Sequence, residues 1–323
     1  MRPSPDPSAI YALINTRNIS WCTTALDTTA SSLRHNYVTR VHGRCICSVI
    51  DTELAAQPST SSISQPSLWH ARRDVRRIIF GTWALVAGYV VWGAVIFHST
   101  GPGLGGGAQA DGSVRVVLAW WVWYPVIATT QGSLTLVLHF AEVVVSSLRD
   151  EATWREAAGA RGPWLSSNPV RNVFSSWTSV FLLAAKPFLH WMFSLCCDMA
   201  LIQGDYTQSE SEAVTNMHWY LSMGATQIWN LSIALDLFAA LLTLLARQRP
   251  QGPQPATYGH IQTLANLVDE WPADGAERLW WGHKGSYTVV GSGFESGGES
   301  AKWYHAGTSG RPLPPVRIEG LYA

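Results

Sequence analysis

Among the ionisable side chains within the long apolar stretches of this chain, five are candidates for an ion or proton pathway, since such pathways in membranes are built from these groups. They are His139, Glu142, Lys186, His190 and Asp236. An isolated charge at the centre of a membrane helix costs at least ~2.5–3.5 kcal/mol, so we expect each to face protein and to find a partner. The group is therefore either an ion or proton pathway or a set of structural contacts between helices.

Lys186 is the residue whose partner the sequence predicts best. Counted along each helix from the nearest arginine on the predicted cytoplasmic side, Glu142 lies ~10 Å deep, Asp236 ~16 Å and Lys186 ~22 Å. Helical Cα–Cβ bonds tilt toward the N-terminus, so Lys186 leans inward, whereas both acids, on oppositely running helices, lean outward. Glu142 has the longer side chain and shares a polar stripe with His139. We therefore expect Glu142, rather than Asp236, to neutralise Lys186.

Polar residues recur on one face of two of the stretches, which predicts that these faces are turned toward protein. In the second stretch they are Gln131, Thr135, His139, Glu142 and Ser146, and in the third Ser175, Ser179, Lys186, His190 and Ser194. His139 and Glu142 have the i, i+3 spacing of half a carboxylate-bridged metal site, but no second pair accompanies them. We therefore predict no metal site.

Motifs of soluble enzymes are missing from the sequence. It contains no Walker loop, no GxSxG and no HExxH. The five cysteines have no paired spacing, and the formal net charge of zero argues against binding to nucleic acid. We therefore predict a protein that is not an enzyme and has no cofactor.

The elements that must position the five ionisable groups are four apolar stretches, each long enough to cross a bilayer as a helix of ~20 residues. They are residues 78–97, 116–148, 173–197 and 217–246. Arginines cluster before the first stretch, between the second and third, and after the fourth, whereas the other two connections carry one Arg and no Lys. Because Lys and Arg stay on the cytoplasmic side during insertion, we predict that both ends are cytosolic and that residues 98–114 and 198–216 lie outside.

The predicted fold is an all-α integral membrane protein, a four-helix transmembrane bundle over residues 78–246. Residues 1–77 are polar with Ser/Thr runs and no sustained period, which predicts a disordered cytosolic arm. Residues 247–323 are predicted to be a cytosolic tail with a small α+β region at 258–306. Its helix, 260–271, is expected to turn four apolar residues toward strands with aromatic runs; they are Ile261, Leu264, Val268 and Trp271, facing Trp280 and Tyr304.

Two smaller features bear on contacts. Ala84 and Gly88 give the first stretch a face of small residues, which predicts packing against another helix.

Pro312, Pro315 and Arg317 fit PxxPxR, the pattern that Src-homology-3 domains bind as a polyproline II strand. The alternative is that these prolines form an edge or a turn of a folded tail.

Several segments together make the chain resemble a family of uncharacterised multi-pass membrane proteins from filamentous fungi. They are LHFAE (138–142), LRDEATWREA (148–157), KPFLHW (186–191), YGHIQTLANLVDEW (258–271), WWGHKG (280–285) and HAGTS (305–309). The resemblance runs from the second apolar stretch to near the C-terminus and implies topology and origin, with no activity, ligand or cofactor. Asp236 lies outside its segments, whereas the other four ionisable residues lie inside them.

Two functions fit these features. We favour a non-catalytic membrane anchor or interaction protein that displays its tail to a cytosolic protein partner. The alternative is a small transporter, or an ion- or proton-coupled membrane protein, that uses the intramembrane Glu, Lys, His and Asp residues. Because four spans are few for a transporter, the alternative favours a homo-oligomer; in both cases the lipid bilayer is the surrounding partner.

Overall fold

The computed structural model describes most of the chain in separate ranges. These are residues 65–99, 113–117, 120–164, 176–204, 216–252, 257–270, 278–289, 301–318 and 320–322, with residues 29, 32–33, 36–39, 45–46, 59–60, 174 and 255. The helices are α1 (Leu68–Ala71), α2 (Arg73–Ser99), α3 (Trp120–Ala157), α4 (Trp177–Cys196), α5 (Ala225–Arg247) and α6 (Ile261–Leu267). The strands are β1 (Ser59–Thr60), β2 (Ser113–Val117), β3 (Cys197–Gly204), β4 (Asn216–Gly224), β5 (Trp280–Val289), β6 (Ala301–Ser309) and β7 (Leu321–Tyr322).

The chain divides into two compact units, each built from separate segments. One, which we call the helical unit, comprises residues 72–145 and 180–247. The other, the tail unit, comprises residues 1–71, 146–179 and 248–323. The outer boundaries of the helical unit lie close to the predicted ones at 77 and 246. The division differs from the prediction because residues 146–179, which include the connection between the second and third apolar stretches, join the tail unit.

Among the described residues, α2, α3, α4 and α5 are long and apolar enough to cross a membrane. In such sequences a helix is favoured because it satisfies every backbone polar group within its own segment. The helix bounds differ from the predicted spans chiefly in two places. Helix α3 continues nine residues beyond 148, and α5 begins at Ala225 instead of residue 217.

Helices α2 and α5 pack antiparallel in the helical unit. The Trp83 indole N–H donates to the Thr243 hydroxyl at 3.1 Å, and a Cβ at Gly93 would lie 3.3 Å from Ile228. Their buried residues recur at alternating spacings of three and four, the pattern of coiled-coil-like packing. These are Val75, Ile79, Thr82, Val86, Tyr89, Gly93 and Ile96 on α2, and Ile228, Leu231, Leu235, Phe238, Leu242 and Leu245 on α5.

The predicted contact face at Ala84 and Gly88 is wrong. Both residues are exposed on the described chain, and a Cβ at Gly88 would meet nothing within 4 Å. Small residues at i and i+4 allow close approach, but here the wider apolar stripe on another side of α2 forms the contact with α5.

A three-stranded antiparallel sheet, which the sequence analysis did not predict, also belongs to the helical unit. Strand β4 lies between β2 and β3, with Cys197 opposite Met223 and Gly204 opposite Asn216. The sheet joins residues from both connections that were predicted to lie outside. The run MHWYLSMG alternates apolar and polar residues from Met217 to Met223, and this period of two is typical of a strand.

The tail unit contains the predicted α+β region, in a sheet with the order β1-β7-β6-β5. Strands β5 and β6 form an antiparallel hairpin with an irregularity between His283 and Gly285, and β6 pairs in parallel with β7. Helix α6 packs against this sheet, and the end of α3 contributes to the same core. The buried cluster is Cys45, Ile46, Trp154, Ala157, Leu264, Leu267, Val268, Leu279, Trp281, Ala306, Val316 and Tyr322.

The predicted face of the tail helix is correct in its centre and wrong at its start. Leu264 and Val268 are buried in the cluster and Tyr304 packs against it, but Ile261 is 43% exposed. Helix α6 ends at Leu267 instead of 271, because Val268 is already extended. Trp271 lies outside the described residues.

Strand β5 begins with two tryptophans, Trp280 and Trp281, and the second of them faces the core. Side chains alternate along a strand, so only one of two neighbours can face inward. Trp281 is 2% exposed, whereas the Trp280 indole N–H donates to the Ala160 carbonyl at 3.3 Å.

The N-terminal arm was predicted to be disordered, and most of it lies outside the described residues. Of the described part, Cys45 and Ile46 are buried in the tail core at 2% and 7% exposure. Leu68 is buried too, and Tyr258 donates a hydrogen bond to the carbonyl of Pro66. For these residues the prediction is wrong, because they contribute apolar surface and hydrogen bonds to a folded unit.

Candidate functional site

Lys186 and Glu142 form the predicted ion pair. The Lys186 Nζ on α4 donates to the Glu142 Oε2 on α3 at 2.7 Å. His139 lies one turn before Glu142, with its Nδ1 3.6 Å from the same oxygen. Two helices of the helical unit are therefore joined by a direct charge-assisted contact, to which a protonated His139 would add a second positive charge.

The apolar stripes of the two helices position this pair. Lys186 lies four residues after buried Leu182 and three before buried Leu189, so it occupies a position on the inward stripe of α4. Glu142 bears the same relation to Leu138 and Val145 on α3, although its side chain is 58% exposed. The side chains thus meet at the margin of the apolar contact between the helices.

The predicted polar faces do not line a sealed interior. The side chain of His139 is 68% exposed, and Gln131 and Ser194 are exposed as well. Hydroxyl groups on these faces bond to their own helices, as Thr135 does to the Gln131 carbonyl at 2.9 Å and Ser194 to the Trp191 carbonyl at 2.7 Å. The inward positions of α3 are taken by Leu134, Leu138, Ala141 and Val145.

His190 and Asp236 do not join the pair. His190 is half-buried, and Asp236 is exposed near the middle of α5. Within the described ranges neither residue has a hydrogen-bonding or ion-pair partner. Of the five ionisable residues singled out by the sequence, the structure brings together His139, Glu142 and Lys186.

A second cluster, which the sequence analysis missed, lies in the tail unit around Asp269. Its Oδ2 accepts from the Lys284 Nζ at 3.0 Å and from the His305 Nε2 at 3.1 Å. Its Oδ1 accepts from the backbone N–H of Thr308 at 2.6 Å. A Cβ at Gly307 would overlap the carboxylate atoms of Asp269, so only glycine leaves room for this arrangement. The carboxylate is thus fixed between the end of α6 and the β5–β6 hairpin.

The contacts of this cluster shift two pKa values in opposite directions. Burial raises the pKa of Asp269, but the hydrogen bonds from His305, Lys284 and the Thr308 amide outweigh it and hold the pKa well below its usual range. The hydrogen bond to Asp269 raises the pKa of His305 to about 9, with a smaller contribution from Cys45. His305 is therefore protonated at neutral pH and forms an ion pair with Asp269.

His305 contacts both Cys45 and Asp269, so thiol, imidazole and carboxylate are connected in the order found in a nucleophilic triad. Cys45 is only 2% exposed, and its sulfur also accepts from the backbone N–H of Ala306 at 3.4 Å. Among the described residues, these three groups connect the β5–β6 hairpin to the N-terminal arm.

Two further contacts join distant segments of the tail unit. The Asp150 carboxylate, at the end of α3, accepts from the Thr257 hydroxyl and from the Gly259 N–H, the latter at 2.7 Å. Tyr258 donates to the carbonyl of Pro66, and burial raises the pKa of its hydroxyl. The three segments of the unit are therefore connected by buried polar contacts beside the apolar core.

The PxxPxR segment lies along the sheet. The Pro314 carbonyl accepts from the His283 N–H at 2.8 Å, and Val316 is 5% exposed. The Arg317 guanidinium stacks over the ring of Tyr304 at 5.2 Å. Pro312 and Pro315 are exposed, but the arginine that a Src-homology-3 domain would read is engaged by the chain itself. The second of the two interpretations, an edge of a folded tail, fits this geometry.

Sequence reasoning missed the Asp269 cluster because its members are far apart in the chain. Asp269, Lys284 and His305 are each one residue of a longer segment, and nothing in those segments predicts their contact. The usable signal was indirect: all three segments belong to the set that carries the family resemblance.

Neither a protein-family model nor a curated protein nor a solved structure matches this chain. In the part of the chain that the structure describes, no three His, Cys, Asp or Glu residues are grouped so that they could hold a metal ion. The function must therefore be argued from the geometry of the two units, and the resemblance to fungal membrane proteins stays a prediction.

Proposed function

We propose that the protein crosses a membrane four times and keeps both ends in the cytosol. Among the described residues, four helices have the length and composition that crossing requires. The segments that assemble into the tail unit, residues 1–71, 146–179 and 248–323, are those that the arginine distribution assigns to the cytosolic side. Segments on opposite sides of a bilayer could not form one compact unit, so this grouping supports the topology.

The pairing of the other connections supports the same topology. Strands β2, β3 and β4 come from the two connections that carry one Arg and no Lys, and they form one sheet. A sheet requires all its strands on the same side of a membrane. The two sets of connections thus separate as the arginine pattern requires.

In this proposal the helical unit is a membrane anchor, and the tail unit is a non-catalytic interaction module for a cytosolic protein. The observation that carries it is the assembly of the tail unit from three segments by buried contacts, such as those of Asp150 and Asp269. Such contacts fix one shape, and a fixed shape lowers the entropic cost of binding a partner. The ion pair of Lys186 with Glu142 then joins helices and has no part in transport.

Water access at residue 186 tests the anchor against a transporter. The test uses a variant without the five native cysteines, carrying Lys186→Cys together with Glu142→Gln so that no charge is left unpaired. The anchor predicts no reaction with a membrane-impermeant methanethiosulfonate reagent from either side. Labelling of this thiol would contradict the anchor.

Two control positions make the result interpretable. Ser209→Cys, in a predicted outer connection, should label strongly and shows that the reagent works. Leu183→Cys lies one turn before residue 186 and is 54% exposed on the described chain, so lipid should cover it. Labelling at Leu183→Cys would mean that this helix is not in a membrane.

A second candidate function, an ion or proton pathway, is favoured by one specific observation. Asp236 is exposed near the middle of α5 without a partner in the described ranges, where a charge in lipid costs at least ~2.5–3.5 kcal/mol. A water-filled path between copies of the chain would relieve that cost. Proteoliposomes should then show a proton flux that Asp236→Asn abolishes, whereas the anchor predicts no flux for either protein.

A further inference from the structure

A cavity of about 540 Å³ lies in the helical unit. Its walls come from α2, α3, the end of α4 and strand β4, and they include Gly88, Tyr89, Trp123, Ser133, Phe193 and Met223. Val95 and Val126, which also line it, are 55% and 48% exposed, so the cavity opens at the surface between α2 and α3. The volume falls within the ~300–1,000 Å³ range of small-molecule sites.

Two residues that line this cavity each carry a hydrogen-bond donor without a partner among the described residues. The Tyr89 hydroxyl and the Trp123 indole N–H are buried, and neither bonds to any group in the part of the chain that the structure describes. Tyr89 is 2% exposed, and its ring lies 6.4 Å from that of Phe193 in an edge-to-face contact. Buried polar groups in proteins are nearly always satisfied, so two orphaned donors on one apolar cavity indicate a missing acceptor.

Water fits this cavity poorly. A buried water requires two to four polar partners, whereas the walls are mostly aliphatic and aromatic. Two of the hydroxyls that line it are already donors to their own helix, Thr130 to the Val126 carbonyl at 2.8 Å and Ser133 to the Thr129 carbonyl at 2.9 Å. The few polar groups that remain cannot order enough water to fill about 540 Å³.

The composition of the walls also restricts the charge of a ligand. Among the residues that the structure describes, no Lys, Arg, Asp or Glu lines the cavity. A phosphate or ammonium headgroup placed there would be desolvated without a counter-charge, which is strongly unfavourable. The acceptor must therefore belong to a neutral molecule with an apolar body.

We propose that this cavity binds one neutral membrane lipid, whose hydroxyl or carbonyl oxygen accepts hydrogen bonds from Tyr89 and Trp123. The apolar body of the lipid fills the space between α2 and α3 and enters through the opening beside Val95 and Val126. The proposal rests on the membrane location proposed above as the source of the ligand. It goes beyond the anchor function, because a lipid site is not required for anchoring.

The test is photolabelling of the full-length protein in bilayers with two neutral probes, a diazirine sterol that bears a hydroxyl and a diazirine monoacylglycerol that bears an ester carbonyl. Labelling of cavity peptides by either probe, mapped by mass spectrometry, is the expected result and identifies the kind of acceptor. A diazirine phosphatidic acid should label at least about tenfold less. Equal labelling by the charged probe would overturn the proposal.

Variants on α2 separate cavity binding from general contact with lipid. Gly88 lines the cavity, and a side chain there would meet no atom within 4 Å of its Cβ, so Gly88→Leu fills space without a clash. The matched control is Gly81→Leu on the same helix, which also has open space and lies outside the cavity. We expect Gly88→Leu to lower labelling about tenfold and Gly81→Leu to leave it unchanged.

The polar contacts have their own variants. Tyr89→Phe and Trp123→Phe each remove one donor and leave the apolar wall, and each should weaken labelling about fivefold, as expected for one hydrogen bond. Ser133→Leu fills the cavity from the facing helix and serves if Gly88→Leu does not fold. Labelling that survives both filling variants would show ordinary surface lipid and would overturn the proposal. This result would contradict the lipid site and would not contradict the anchor. The anchor is tested separately, by whether a cysteine at residue 186 reacts with a membrane-impermeant reagent.

Discussion

Replacing Lys186 by Met removes the cation that lies 2.7 Å from the Glu142 carboxylate. Breaking such a pair leaves a charge without compensation, which in a low-dielectric site costs ~3–5 kcal/mol. Proton uptake limits the loss. Neutralising a carboxylate with an ordinary pKa of ~4.3 at pH 7 costs about 3.7 kcal/mol, so the variant cannot lose more than this through the unpaired charge.

The double change should restore most of that stability. In Lys186→Met with Glu142→Gln neither charge remains, and the helices keep their apolar contacts. We expect Lys186→Met to lose about 3 kcal/mol in free energy of unfolding and the double variant to lose about 1 kcal/mol. The coupling energy is the sum of the two single losses minus the loss of the double variant, so it is at least about 2 kcal/mol and is larger by whatever Glu142→Gln loses on its own.

The pH dependence identifies the mechanism. If protonation of Glu142 rescues Lys186→Met, the loss should shrink by about 1.4 kcal/mol for each pH unit below 7. The assay is denaturant-induced unfolding in detergent micelles at several pH values. Lys186→Met with Asp236→Asn is the control cycle, and these positions should show no coupling. Additive losses for Lys186 and Glu142 would refute the reasoning, and coupling to Asp236 would make it the true partner.

Four further predictions concern the tail unit, each read by hydrogen–deuterium exchange of the full-length protein. The pKa of His305 is raised to about 9, so the stability that its ion pair contributes is complete below pH ~6.5 and is lost as the pH rises through about 9. Protection of the β6 amides from exchange should therefore fall over that pH range. The variant His305→Gln should remove this pH dependence. The pKa of Asp269 is lowered, so its contribution is present above pH ~3.9 and is lost in stronger acid. Gly307→Ala should destabilise by ~1–3 kcal/mol because its Cβ would overlap the Asp269 carboxylate, whereas Gly285→Ala, with open space, should have little effect. Leu264→Ala removes a fully buried side chain and should cost ~2–5 kcal/mol. An unchanged exchange rate in Gly307→Ala or in Leu264→Ala would contradict the packing described.

The sequence was sufficient to predict the features that depend on local periodicity and on the position of a residue along its membrane helix. Apolar stretches predicted four long helices, and depth with Cβ direction predicted the contact of Lys186 with Glu142. The tail helix and its hairpin followed from helical spacing and aromatic runs. The contact face of α2 was also readable, because its buried residues repeat at spacings of three and four, but the pair Ala84 and Gly88 drew the prediction to the wrong side.

The remaining features depend on tertiary contacts that no local pattern encodes. Residues 217–224 are apolar enough to continue a helix, and only their alternation of apolar and polar residues distinguishes a strand. Asp269 meets Lys284 and His305 across separations of 15 and 36 residues. Cys45 reaches the tail core from the N-terminal arm, 261 residues before Ala306. The prediction that the polar face of α3 turns toward protein was wrong for His139, because the apolar stripe of Leu134, Leu138, Ala141 and Val145 takes the inward positions.

The central claim is that the three segments of the tail unit lie on one cytosolic side of a membrane. Single cysteines at positions 166 and 209, in a background without native cysteines, test it most directly on intact cells with an impermeant maleimide. The account predicts no labelling at position 166, which belongs to the tail unit, and strong labelling at position 209, between β3 and β4. Strong labelling at position 166, or none at position 209 once permeabilised cells have shown that its thiol is reactive, would contradict it.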